Sequence, residues 1–200
     1  MLRVGIYGGA FAPIHKGHVE AAKAFMQQMW LDVLFVIPTG LSPHKEMDHS
    51  ASAEDRMEMC RLAFRDVEGV IVSDIEIRRG GKSYSVDTVR DMSGEDQKLF
   101  MLCGTDMMLT LDEWDQVDEI FKLCYPVYIR REEDRSLDAK IIEKNTGYFE
   151  KYGKYVIKLD APVIDVSSTE IRKMIRDGED VSMYIDSEVM KYIDEKGLYR

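Results

Sequence analysis

Two of the four histidines in this 200-residue chain, His15 and His18, stand three residues apart, just beyond the glycine pair Gly8-Gly9. Imidazoles at that spacing at a helix start can lie on one face and address the same ligand. A glycine pair after a strand lets backbone approach a phosphate without a Cβ in the way. Gly17 between the histidines leaves space for a bulky group. The bland alternative is a glycine turn followed by two surface histidines. Half of the chain's histidines beside one turn make that the poorer account. A second anion-type segment, Val166-Ser167-Ser168-Thr169-Glu170-Ile171-Arg172, lies far along the chain. Ser167 and Glu170 have capping-box spacing, so a helix begins there. Its first N–H groups, the hydroxyls of Ser168 and Thr169 and the Arg172 fork together suit an anion. Alone, it would read as an ordinary capped helix.

The elements that must position these residues alternate between strand and helix. Leu2–Tyr7 is a short apolar run, as a buried parallel strand would be. Val19, Ala22, Phe25, Met26 and Met29 recur at helical spacing. Val33–Ile37 predicts a second strand, stopped by Pro38, and 38–50 a polar loop. Ser52 caps a helix through Met57, Cys60, Leu62 and Phe64. Short strands are expected at 70–72 and 75–77, a helix at 85–92, and a strand at 99–103 followed by Gly104. A helical stretch around 114–121 precedes a strand at 125–129. A helix at 137–152, with Gly147 as a break, precedes a strand at 156–159. Two helices, divided near Gly178, follow Ser167. This order predicts an α/β fold, a doubly wound parallel sheet with helices on both faces. Its ligands would sit beyond the strand C-termini. The expected organisation is one domain over 1–200, with a C-terminal helical subregion from about 167.

Composition bounds the function. Lys+Arg is 27 and Asp+Glu 37, a net charge of −10. Such a surface repels phosphate backbones, so a nucleic-acid-coating role is not expected. A small anionic ligand remains open to a few local donors. Hydrophobic residues at 45% and charged residues at 32% suit a globular domain. Cys60, Cys103 and Cys124 show no CxxC or Cys/His metal spacing and read as buried thiols in a reducing compartment. The thirteen methionines read as core filler. The opening residues enter a strand pattern at once and no apolar run approaches about 18 residues. Neither signal peptide nor membrane span is therefore expected, and a cytoplasmic location is the default.

With these residues in view, the first segment resembles the HxGH signature of the nucleotidyltransferase superfamily, and Val166–Arg172 resembles its ISSTxIR signature. Thr39–Lys45, with Pro43-His44-Lys45, is similar to the PPHK loop of nicotinate (nicotinamide) mononucleotide adenylyltransferases. Ser83–Thr88 resembles their SYTxDT segment. Gly104 and Asp106 through Leu111 and Trp114 resemble their GxDxxxxLxxW segment. The combination is most similar to the bacterial nicotinate-nucleotide type and runs across nearly the whole chain, weakest between about 131 and 160. Phosphopantetheine adenylyltransferase shares the two phosphate signatures but lacks the last two segments.

The resemblance implies transfer of AMP from ATP to nicotinate mononucleotide, without a covalent enzyme intermediate. It assigns His15 and His18 to catalysis at the ATP phosphates. Gly8, Gly9, Ala10 and Phe11 would line that site, Gly104 and Asp106 would meet the adenosine half, and Ser168, Thr169 and Arg172 the leaving phosphates. Thr39, Lys45, Tyr84, Ser85 and Trp114 would bind the mononucleotide, Tyr84 and Trp114 as a platform for its ring. Mg²⁺ would be carried by ATP phosphate oxygens, with no dedicated protein metal site. The partners implied are ATP and nicotinate mononucleotide, with neither nucleic acid nor membrane, and a homo-oligomer is allowed. Arg56, Arg130 and Arg131 could reach a phosphate, but surface ion pairing accounts for them equally. One departure stands out: the family motif has Thr or Ser where this chain has Ala10, and Asp or Asn where it has Ala12. That leaves open the amide substrate, another phosphate ester, or a nucleotide-binding domain without turnover.

Overall fold

In the computed structural model, which describes residues 1–41, 50–130, 135–161 and 166–200, the chain alternates between strands and helices. The order is β1 (Leu2–Gly9), α1 (Lys16–Gln28), β2 (Val33–Pro38), α2 (Ala53–Phe64), β3 (Val70–Val72), α3 (Ile75–Arg79), α4 (Ser85–Asp91), β4 (Gln97–Gly104), α5 (Thr105–Leu109), a single 3-10 turn (Leu111–Glu113), α6 (Val117–Leu123), β5 (Cys124–Ile129), a second 3-10 turn (Arg135–Leu137), α7 (Asp138–Tyr152), β6 (Ile157–Leu159), α8 (Ser168–Asp177) and α9 (Ser187–Lys196).

The strands form one parallel sheet in the order β3-β2-β1-β4-β5-β6. The chain runs outward one way from β1, then returns to β1's other side as β4, pairing Ile6 with Phe35 and with Met101. That reversal is where doubly wound sheets open a crevice. Gly8-Gly9 and Gly104 therefore end at neighbouring points along one rim.

The sheet is covered on both faces. Ala22 and Phe25 of α1, Met59 and Phe64 of α2, Ile171 of α8 and Val189 and Ile193 of α9 share one buried cluster. Val86 and Val89 of α4 and Ile120 of α6 pack on the other face with Val4, Ile6 and Leu99. Gly5 allows α1 and the turn after it to come close: a Cβ there would stand 3.1 Å from Phe25 Cε1 and 2.5 Å from Leu31 Cδ1.

Three expectations are corrected. Residues 75–77 are not a strand but the start of α3. Arg78 N donates to Asp74 O at 2.8 Å, and the buried residue is Glu76, not its apolar neighbours. The alternation was three residues long, too short to fix a period. Gly147 does not break α7, which runs through it, with open space where a Cβ would point. Trp114 is not helical; it caps a 3-10 turn between α5 and α6 with extended backbone. Lys45 and the rest of the expected loop from 42 to 49 lie outside the described residues. No helix among the described residues is long and apolar enough to cross a membrane.

Candidate active site

The loop from β1 into α1 is shaped by its aromatic residue. Phe11 has φ +47°, a conformation that side chains bearing a Cβ seldom adopt. Packing holds it there: the ring is buried, meets Tyr7 edge-on at 5.4 Å and His18 edge-on at 5.1 Å. It also fills the space above Gly9, where a Cβ would stand 3.0 Å from the ring. The chain then enters α1 with His15 as N-cap. His15 and His18 are both buried, their ring centroids 3.8 Å apart. His15 N donates to His18 Nδ1 at 3.2 Å. The spacing in the sequence thus delivers one imidazole pair.

The second anion-type segment lies directly against this loop. The capping box forms as its spacing predicts: Glu170 N donates to Ser167 Oγ at 3.2 Å and Ser167 N to a Glu170 carboxylate oxygen at 2.7 Å. The Ser167 donors hold the Glu170 carboxyl below its ordinary value. Ser168 Oγ donates to Pro13 O at 2.9 Å, and Arg172 Nη1 to Ala12 O at 2.7 Å. Arg172 Nη2 donates to Thr169 Oγ1 at 3.2 Å. The N-terminus of α1 is tied to the loop before α9 as well, through Lys16 N to Tyr184 O at 2.7 Å and Lys16 Nζ to Ser182 O at 2.9 Å.

On the other side of β1, Thr39 N donates to Gly9 O at 2.9 Å, so the end of β2 abuts the glycine pair. Gly40 N donates to Ser83 Oγ at 3.1 Å and Ser83 N to Leu41 O at 2.8 Å, bringing the Tyr84-Ser85 segment to that strand end. Tyr84 precedes α4 as its N-cap, with Ser85 as the first helical residue. Tyr84 and Trp114 are both half-buried and pack on the same apolar cluster beneath the sheet. Asp106 is exposed in the first turn of α5, and a Cβ at Gly104 would lie 2.7 Å from its carboxylate.

One supporting group escaped the sequence reading, and another was named there without being told apart from a surface charge. Glu76 is buried under the Gly40–Ser83 contact, and Thr88 Oγ1 donates to its Oε1 at 2.8 Å. Burial pushes its carboxyl up, against the pull of Thr88, Ser83 and Arg79. Arg56 is buried at the start of α2, with Nη1 donating to Ala10 O at 2.9 Å. No local pattern marked either, because each is defined by what tertiary packing brings to it. The three cysteines are buried, and burial pushes the thiols of Cys103 and Cys124 up to about 12 and that of Cys60 up as well. None is an available nucleophile near neutral pH.

The arrangement is a rim of glycines, paired imidazoles and a helix start with an arginine, beside a half-buried aromatic pair. Such a set of donors can bind phosphates and stabilise their charge. Comparison with known proteins identifies the family. The family model described as cytidylyltransferase-like matches residues 6–174. A Desulfatibacillum aliphaticivorans protein named nicotinate-nucleotide adenylyltransferase is 33% identical over 215 residues, covering 99% of this chain and 100% of its own. A Clostridium botulinum (strain Kyoto / Type A2) protein of the same name is 34% identical over 202 residues, with both chains covered in full. Among solved structures, the Plasmodium falciparum nicotinic acid mononucleotide adenylyltransferase complexed with NaAD matches with a TM-score of 0.75 at 19% identity, over 100% of this chain and 98% of that one. At that identity the likeness is one of fold. The chain belongs to the cytidylyltransferase-like family and, within it, to the nicotinate-nucleotide adenylyltransferases.

Proposed function

We propose that this protein transfers the AMP moiety of ATP to nicotinate mononucleotide, giving deamido-NAD and pyrophosphate, with the two anion-type segments as one phosphate site. A 5′-phosphate oxygen of the mononucleotide attacks the α-phosphorus of ATP. The new P–O bond forms as the bond to the β-phosphate bridge breaks, and both electrons of that bond leave with pyrophosphate. The protein's part is positioning and charge stabilisation, as in other phosphoryl-type transfers.

His18 and His15 donate to the α-phosphate as its negative charge grows. Backbone at Gly8–Phe11 lines the phosphate chain. Thr169 and Arg172, with Ser168 holding the α8 start against the loop, receive the leaving β- and γ-phosphates. Asp106 beside Gly104 accepts from a ribose hydroxyl of the adenosine half. Thr39, Tyr84, Ser85 and Trp114 take the mononucleotide, the two aromatics against its ring, and Lys45 would meet its phosphate. ATP enters as its magnesium complex. The metal would be carried by phosphate oxygens and water.

The observation that carries this reading is the convergence of residues 155 and 160 positions apart, Ser168 on Pro13 and Arg172 on Ala12. Two helix starts that each favour an anion would otherwise have no reason to share one loop. The test is to incubate the protein with ATP, Mg²⁺ and, separately, nicotinate mononucleotide, nicotinamide mononucleotide and phosphopantetheine, following pyrophosphate release and dinucleotide formation. Deamido-NAD should be the favoured product. Turnover only with phosphopantetheine, or none with any acceptor, would overturn the reading.

A further inference from the structure

Arg56 is 2% exposed, on the buried side of the first turns of α2. Nη1 donates to Ala10 O at 2.9 Å, while Nε is buried and has no hydrogen-bond partner. Among the described residues no carboxylate forms an ion pair with it; its nearest titratable neighbours are Tyr199, Cys60 and, on its own helix, Glu54. The desolvation lowers its affinity for the proton, yet a guanidinium stays charged throughout the range in which proteins fold. Among the described residues, then, this cation is kept out of water with no carboxylate bonded to it and only Glu54 of its own helix as an acidic neighbour, which is costly unless more negative charge is supplied.

The geometry of the loop indicates what supplies it. The Ala10–Phe11 peptide is trans, so its C=O and N–H point in opposite directions. Arg56 draws the Ala10 carbonyl toward α2, which turns the Phe11 N–H the other way. Ala10 itself is exposed. One residue pair further on, Arg172 draws the Ala12 carbonyl toward α8 at 2.7 Å. Two arginines from different helices thus hold back the carbonyl oxygens that would repel an anion lying on this loop.

We propose that Arg56 is a positioning residue for phosphate binding: it fixes the Ala10 carbonyl away from the site and contributes a buried positive charge that the phosphate of an incoming nucleotide neutralises. The proposal rests on the adenylyl-transfer reading for the identity of that nucleotide, but not for the binding of an anion, which inorganic pyrophosphate probes alone.

Arg56→Met, Arg56→Gln and Arg56→Lys distinguish this from a merely structural tie. Replacing a buried cation that no described carboxylate bonds by a chain of similar length should leave the melting temperature of the free Arg56→Met protein equal to or above that of the wild type. Its affinity for pyrophosphate by titration calorimetry should fall at least tenfold, and the thermal stabilisation by pyrophosphate should shrink with it. Arg56→Lys should recover affinity to within a few-fold of wild type, whereas Arg56→Gln, a donor without charge, should not. Separate titrations with a non-hydrolysable ATP analogue and with nicotinate mononucleotide then identify whose phosphate is involved. A folded Arg56→Met that melts lower and binds pyrophosphate normally, or Lys and Gln variants that bind alike, would overturn the proposal. Absence of turnover in the wild type with pyrophosphate binding still dependent on Arg56 would defeat the substrate assignment only.

Discussion

The backbone N–H of His15 points at Nδ1 of His18, 3.2 Å away. A nitrogen that accepts carries no proton, so the neutral His18 ring holds its one N–H at Nε2. Phe11, Tyr7 and His15 surround that ring at centroid distances of 5.1, 6.3 and 3.8 Å and fix its plane. The helix start therefore selects the tautomer that leaves the outer nitrogen as a donor.

This relationship predicts different outcomes for two amides. Gln at position 18 can present its NH₂ near the Nε2 position, and Asn can present a group only near Nδ1. His18→Gln should retain more turnover than His18→Asn, and His18→Ala should lose two or more orders of magnitude, since one preorganised donor to a developing oxyanion is worth about 3 kcal/mol. His15→Ala should behave like His18→Ala. Steady-state kcat for the folded variants is the measurement; Asn equal to or above Gln would contradict a donor at Nε2.

Arg172 bonds both the Ala12 carbonyl and the Thr169 hydroxyl. Arg172→Ala should raise KM for ATP by about tenfold or more, as expected for losing a charge-assisted fork. Lys should restore only part of it. Separate titrations with ATP and with the mononucleotide decide; a defect confined to the mononucleotide would reverse the two substrate positions.

Selectivity for acid over amide should follow from the Tyr84-Ser85 backbone. The nearby carboxylates are turned elsewhere: Asp87 accepts from Arg90 Nη1 at 2.9 Å, and Glu76 is buried with Oε1 bonded to Thr88 and Oε2 shut away from solvent without a partner. A carboxamide NH₂ would meet donors and stay unpaired, a cost of about 1–3 kcal/mol. The ratio of kcat/KM for nicotinate over nicotinamide mononucleotide should therefore be at least about tenfold. Trp114→Ala should damage both substrates without changing that ratio much. Equal values in the native protein would rule out a donor-only pocket.

Glu76 gives a pH signature. Burial raises its carboxyl above the ordinary 4.5, so upward from there the folded protein keeps a proton that the unfolded chain has released. In that window stability from this group falls as pH rises. Glu76→Gln lacks the effect. The melting temperature of Glu76→Gln minus that of wild type should grow as pH rises from the ordinary 4.5. A flat or shrinking difference by calorimetry would mean that the fold prefers the charged form.

Much of this was legible in the sequence, for stated reasons. The His15/His18 spacing and the Ser167/Glu170 box are local signals, and each produced the local geometry it predicted; Gly8-Gly9 ends β1 rather than following it, and the turn falls to Phe11. The apolar runs of β1, β2, β4 and β5 are long enough to fix a strand. Residues 75–77 were not, and α3 resulted. The short α5 went unseen because five residues carry little periodicity. Arg56 and Glu76 could not be separated from surface charges, since burial is a property of what packs on them. The joining of the two phosphate segments was suggested by family wording alone; no spacing rule brings Arg172 to Ala12.

That joining has a consequence for how the protein comes to exist. The contacts Ser168–Pro13, Arg172–Ala12 and Lys16–Ser182 close loops of 155, 160 and 166 residues, and such distant pairings form late, after the loop entropy has been overcome. On a ribosome, the glycine loop and both histidines emerge early and must wait for residues 166 to 184. On the proposed assignment, a nascent or interrupted chain carries half of the phosphate site and should turn over no ATP. Catalysis is the last property the chain acquires during its own synthesis.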